Sequence, residues 1–99
     1  MEVIITHELQ TIITIKGRLD TVCAPNFETA IAPVILGEMK DVVIDCTELD
    51  YISSSGLRQF LILQKTANTK QGKLTIKEMK EEIKEIFDMT GFTVLFNFE

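Results

Sequence analysis

Ninety-nine residues leave room for one domain and one hydrophobic core. Hydrophobic residues make up 45% of the chain and charged residues 25%, which suits a globular protein and excludes a disordered one. Ten basic against fifteen acidic residues give a formal charge of −5, so neither a nucleic-acid backbone nor an anionic membrane is an expected partner.

Several other classes also fall away. No apolar run approaches the ~20 residues of a membrane span, and Met1 to Thr6 lacks a basic flank and a cleavage-like segment. We therefore expect a cytoplasmic chain with no membrane insertion. Cys23 and Cys46 show no Cys-x-x-Cys spacing and there is a single histidine, so the cysteines are expected to be buried, reduced thiols and not zinc ligands or a disulfide framework.

In chain order, Val3 to Thr6 and Thr11 to Lys16 are β-branched runs flanking polar His7 to Gln10, a predicted hairpin whose second strand ends at Gly17. Phe27, Ala30, Ile31, Val34 and Ile35 then recur with helical spacing, with Pro33 on the opposite face and a kink or a loosened last turn expected before Gly37. Asp41 to Cys46, with Val42, Val43 and Ile44 at its centre, reads as a strand covered on both faces. After a loop, the register of Leu57, Phe60 and Leu61 predicts a helix from about Ser55 to Thr69, stopped by Gly72.

Lys73 to Lys77 alternates, which predicts a strand with Leu74 and Ile76 inward. Met79, Ile83, Ile86 and Phe87 form the apolar stripe of a third helix whose other face is charged. Thr93 to Phe98 would close the sheet. The order β-β-α-β-α-β-α-β predicts an α/β fold, a mixed and mostly parallel sheet with helices packed against it through right-handed crossovers. Loops leaving the carboxyl ends of parallel strands gather at one edge, so the Gly17 to Asp20 turn and the Ser53 to Gly56 loop are expected to share a surface.

That surface carries little catalytic chemistry. A serine hydrolase needs a base beside its nucleophile, yet His7 lies in the predicted hairpin and the serine run lacks a Gly-x-Ser-x-Gly elbow. No phosphate-binding Gly-rich loop occurs either, and Asp41, Asp45, Glu48 and Asp50 lack the spacing of a calcium loop. We expect no enzyme, no cofactor and no metal. What remains is Ser53-Ser54-Ser55 at the start of a helix, where a serine satisfies backbone donors as an N-cap and where a phosphate meets a favourable dipole. From the residues alone both readings stand.

Three motifs, in order and without large insertions, tip the balance. Asp45-Cys46-Thr47-Glu48-Leu49-Asp50-Tyr51-Ile52-Ser53-Ser54-Ser55-Gly56-Leu57-Arg58 resembles the phosphoacceptor signature of the STAS domain of anti-sigma factor antagonists in bacterial sporulation and stress-response systems. Gly17-Arg18-Leu19-Asp20 looks like that family's Gly-x-Leu-Asp turn, and Ile86 to Phe92 is similar to the motif of its last helix. The resemblance covers the whole chain and implies a single STAS domain over residues 1–99.

By that resemblance the acceptor is the serine two positions before Gly56, which is Ser54. Sporulation-type members carry Asp where this chain has Ser53, which leaves Ser53 and Ser55 as competing acceptors. Asp20, Ser53, Ser54, Ser55, Gly56 and Leu57 are the implied partner-binding residues, although Leu57 fits better as the first core residue of its helix. The implied function is a switch: the unphosphorylated domain binds an anti-sigma factor that is also a serine kinase, and a PP2C-type phosphatase restores it after phosphorylation. The alternative is an unphosphorylated STAS subunit of a transporter or a larger signalling assembly.

Overall fold

The computed structural model describes all 99 residues, as a six-stranded sheet with three helices packed against it. Strands β1 (Glu2–His7) and β2 (Thr11–Leu19) form the predicted hairpin and pair antiparallel. Helix α1 (Ala24–Leu36) leads to β3 (Asp41–Asp45), β4 (Leu49–Ile52) and α2 (Ser54–Thr69). Then come β5 (Lys73–Lys77), α3 (Glu81–Met89), a 3-10 turn over Thr93–Leu95 and β6 (Asn97–Phe98). The sheet order is β1-β2-β3-β5-β6, with β4 also paired to β2, and every pairing except β1 with β2 is parallel.

Each helical connection from β2 onward, through α1, α2 and α3, steps the chain in the same direction across the sheet. Right-handed crossovers taken in one direction place all their helices on one face. Alternation along the strands fits this arrangement: Ile13, Ile15, Val42, Ile44, Leu74 and Ile76 join the buried cluster with Phe27, Phe60 and Phe87 of the helices, whereas Val43 does not. The centre of the core is aromatic as well as aliphatic. Phe60 lies 6.2 Å from Phe27 and 5.9 Å from Phe87, ring centre to ring centre, which links all three helices.

Several expectations need correction. Gly17 does not end the second strand; with φ of +91° it stands where the register with β4 shifts, Asp50 of β4 being the extra residue, and β2 runs on to Leu19. The residues between β3 and α2 are not only a loop. Leu49–Ile52 form β4, which takes up the far half of β2 after β3 has paired with Thr11 to Thr14. Helix α1 begins three residues before Phe27, at Ala24, with Pro25 in the first turn where its missing N–H costs nothing. It continues through Pro33, and its last turn tightens so that the Gly37 N–H reaches the Val34 carbonyl at 3.1 Å.

Helix α2 starts one residue early, at Ser54. Thr75 is buried along with Leu74 and Ile76, because β5 is flanked by β3 and β6 and neighbouring side chains close over its outer face. The closing strand is only Asn97–Phe98, since Thr93–Leu95 wind into a 3-10 turn after the C-terminus of α3. Met79 packs on the core from the connection before α3 and not from the helix itself. Cys46 is fully buried and Cys23 half-buried, both as free thiols.

Phe60 touches both aromatic neighbours at the junction of the helices, so its truncation leaves a cavity that no single element can close. We predict that Phe60→Ala lowers unfolding stability by ~3–5 kcal/mol, read from urea melts.

Candidate functional site at the start of helix α2

Strands β2 and β4 run parallel and end together, and the site grows from how they end. The Ser53 N–H donates to the Leu19 carbonyl at 2.9 Å, continuing the ladder one step past β4. That bond sets the residue after β2, Asp20, beside the residues that open α2. The expected shared surface therefore exists, and the short strand β4 builds it.

The three serines have different environments. Ser53 sits in extended conformation at the N-cap, is 8% exposed, and its Oγ accepts the Gly56 N–H at 3.1 Å. Its hydroxyl is committed to the cap. Ser54, the first helical residue, is exposed. Ser55 is half-buried and lines a groove between the starts of α1 and α2 with Thr21, Pro25, Glu28 and Arg58. The amides of Ser54 and Ser55 belong to the first turn, where a helix offers N–H groups without internal acceptors.

Gly56 holds the helix close to β2. A Cβ there would stand 2.7 Å from the Leu19 side chain and 2.9 Å from its carbonyl oxygen, closer than real contacts allow. Leu57 is buried in the core. Of the residues implied as partner-binding, Gly56 and Leu57 thus position the loop, while Ser54 presents a side chain to solvent and Ser55 and Asp20 do so in part.

Asp20 turns the chain from β2 into α1. Its Oδ1 accepts the Cys23 N–H at 2.9 Å and its carbonyl accepts the Ala24 N–H at 3.0 Å. The Cys23 amide, then the Cys23 thiol, hold its carboxyl below the usual range against the opposing effect of desolvation, with smaller help from Arg18 and the Val22 amide. Cys46 behaves oppositely, as burial and then the Asp45 charge push its thiol up.

Charged residues not singled out from the sequence frame the site. The Arg18 guanidinium lies 4.3 Å from the centre of the Tyr51 ring, a cross-strand pair of β2 and β4. Lys80 pairs with Asp50 and so ties the start of α3 to β4; the hydrogen bond to Asp50 is the main cause of its raised pKa. Arg58 stands one helical turn beyond Ser54, at i+4. Of the other acids, Asp45 accepts from Thr47 and Glu48 pairs with Lys16, while Asp41, at the opposite end of β3 from the serines, accepts from Gln10. His7 contacts Thr11 at the opposite end of β2 from the serines.

Gly56→Ala should cost ~1–3 kcal/mol through overpacking against Leu19, whereas Ser54→Ala, at an exposed site, should stay within ~0.5 kcal/mol in the same denaturant melts. For Asp20 the folded carboxyl is depressed, so its stabilising contribution is present above the ordinary carboxylate range and is lost as pH falls through the folded value. The stability gap between wild type and Asp20→Asn should therefore be widest at neutral pH and close on acidification below about pH 4.

Comparison with known proteins agrees with the fold. The STAS domain model matches residues 1–99. BtrV of Bordetella bronchiseptica is 34% identical over 82 residues, which span 83% of this chain and 71% of BtrV. The anti-sigma-B factor antagonist of Staphylococcus epidermidis is 30% identical over 87 residues, covering 88% of this chain and 81% of that protein. Among solved structures, the Bacillus cell fate determinant SpoIIAA in its phosphorylated form superposes with a TM-score of 0.73 at 14% identity, over 99% of this chain and 89% of SpoIIAA. The motifs, the sheet order and these likenesses converge: the chain belongs to the STAS domain family.

Proposed function

We propose that this chain is an anti-sigma factor antagonist, a binding module without catalysis whose docking surface is switched by phosphorylation of Ser54. The observation that carries the reading is the division of labour among the serines. Ser53 is spent on the cap and Ser55 is half-buried, so Ser54 is the hydroxyl a kinase reaches most freely. The relative from Staphylococcus epidermidis is an anti-sigma-B factor antagonist, which supports an anti-sigma factor as the partner here.

In its unphosphorylated form the domain binds and sequesters an anti-sigma factor, freeing a sigma factor for transcription. That anti-sigma factor is also the serine kinase, a PP2C-type phosphatase reverses the modification, and the exchange takes place in the cytoplasm. Asp20, Ser54 and Ser55 supply the polar contacts, held in place by Ser53, Gly56 and Leu57.

The physical basis is a difference in desolvation. A serine hydroxyl can be buried in an interface at small cost, while a phosphoserine carries about −1.5 to −2 charges that must be paired or kept in water. A penalty of ~3 kcal/mol reduces affinity more than a hundredfold. The domain itself tolerates the anion, because the phosphate would lie at the positive end of α2 with Arg58 one turn away.

The test uses the purified chain incubated with ATP and lysate of its own cells, followed by mapping of phosphate by mass spectrometry and capture of the kinase. Wild type should be labelled at Ser54 and Ser54→Ala should not. Ser54→Asp should capture the anti-sigma factor roughly a hundredfold more weakly than wild type. Full labelling of Ser54→Ala would contradict the site, and undiminished capture by Ser54→Asp would contradict the electrostatic switch.

A further inference from the structure

The face of the sheet opposite the helices has a charge pattern that points to a partner. Its residues follow from the strand registers: Glu2, Ile4 and Thr6 of β1; Ile12, Thr14 and Lys16 of β2; Asp41, Val43 and Asp45 of β3; Lys73, Thr75 and Lys77 of β5. None of the apolar members, Ile4, Ile12 and Val43, belongs to the core packed beneath the helices; Ile4 is 37% exposed, whereas Val43 and Thr75 at the centre are shielded by their neighbours at 5% and 3%.

The charges alternate strand by strand. The β1 column carries Glu2, β2 carries Lys16, β3 carries Asp41 and Asp45, continued by Glu48, and β5 carries Lys73 and Lys77. Across the sheet the signs run minus, plus, minus, plus. Glu48 belongs with this face because its carboxylate meets Lys16 at 3.6 Å.

We propose that this face binds a second copy of the chain, in a twofold dimer whose axis runs parallel to the strands, between β2 and β3. The charge pattern selects that arrangement. A twofold axis perpendicular to the strands lays every column on itself, and one running along the centre of β2 or β3 superposes columns of like sign. The axis between β2 and β3 lays Lys16 of each copy over the acidic column of the other, and lays β1 with Glu2 over β5 with its lysines. At the centre, where aligned sheets pack about 10 Å apart, Val43 and Thr75 are already buried within each copy, so the charged columns and Ile4 supply the contacts.

The dimer leaves the Ser54 surface free. Because the axis follows the strands, both copies direct the carboxyl ends of their parallel strands, and so their α2 starts, the same way. Two docking surfaces facing one direction suit a partner that is itself twofold, where the second contact forms at high effective concentration. The dimer stands on the sheet's own pattern and does not require the phosphorylation reading.

Sedimentation equilibrium of the full chain at low salt, from about 1 μM to 1 mM, tests the proposal with surface variants. Glu2 and Lys77 are both exposed and lie three strand positions apart in one chain, about 14 Å at ordinary strand spacing, too far to pair with each other. In the dimer Lys77 of one copy lies opposite Ile4 of the other, and the Glu2 of that copy is two residues along the strand, about 7 Å, within reach of the lysine side chain. We expect reversible dimers for wild type, at least about tenfold weaker association for Lys77→Glu and for Glu2→Lys, and recovery in the double variant. A chain that stays monomeric to 1 mM, with this face left to another protein or to water, would overturn the proposal. So would dimers indifferent to Lys77→Glu, as from pairing of the β1 edge, or a double variant that fails to recover.

Discussion

A single backbone hydrogen bond, from the Ser53 amide to the Leu19 carbonyl, organises the functional end of this domain. It extends the pairing of β4 with β2 by one step and fixes two chain reversals against each other, the Asp20 turn into α1 and the N-cap of α2. Gly56 follows from the same approach, since any side chain there would occupy the space of Leu19. The buried cap at Ser53 and the exposed hydroxyl at Ser54 are consequences as well: once the helix starts this close to β2, the N-cap side chain turns inward and the first helical residue outward.

Much of this was legible in the sequence, for identifiable reasons. The hairpin, the three helices and the inward face of β5 announce themselves through local composition and periodicity, because each buries one side against a common core. The placement of Ser54 at a helix start needed only the apolar register beginning at Leu57. Strand β4 was hidden because it is four residues long, has two exposed positions, and pairs with a segment some thirty residues earlier. The register shift at Gly17 was hidden for a related reason: glycine at the end of a β-branched run reads as a stop, and only the pairing with β4 carries the strand through to Leu19. At the far end Thr93 to Leu95 has strand-like composition, yet these residues wind into a 3-10 turn and only Asn97–Phe98 join β5.

The handedness of the crossovers gives the domain its two-sided character. With all three helices on one face, the aromatic junction at Phe60 forms beneath them and the other face of the sheet stays unlayered. The start of α2 lies at the edge between these faces. Docking there, as proposed, would leave both the core and the face without helices intact. Arg58 and the first-turn amides of α2 give an anion local compensation, so a phosphate is costly to an incoming protein and tolerable to the domain that carries it.

The central claim is that an anion on Ser54 changes what can dock while the fold stays as it is. Backbone amide NMR spectra of the chain before and after stoichiometric phosphorylation address it most directly. The account predicts shifts confined to the Asp20 turn and the first turns of α2, with amides of β5 and α3 unmoved. Widespread shifts through β5, α3 and the Phe60 junction would show that phosphorylation acts by rearranging the domain, and would contradict it.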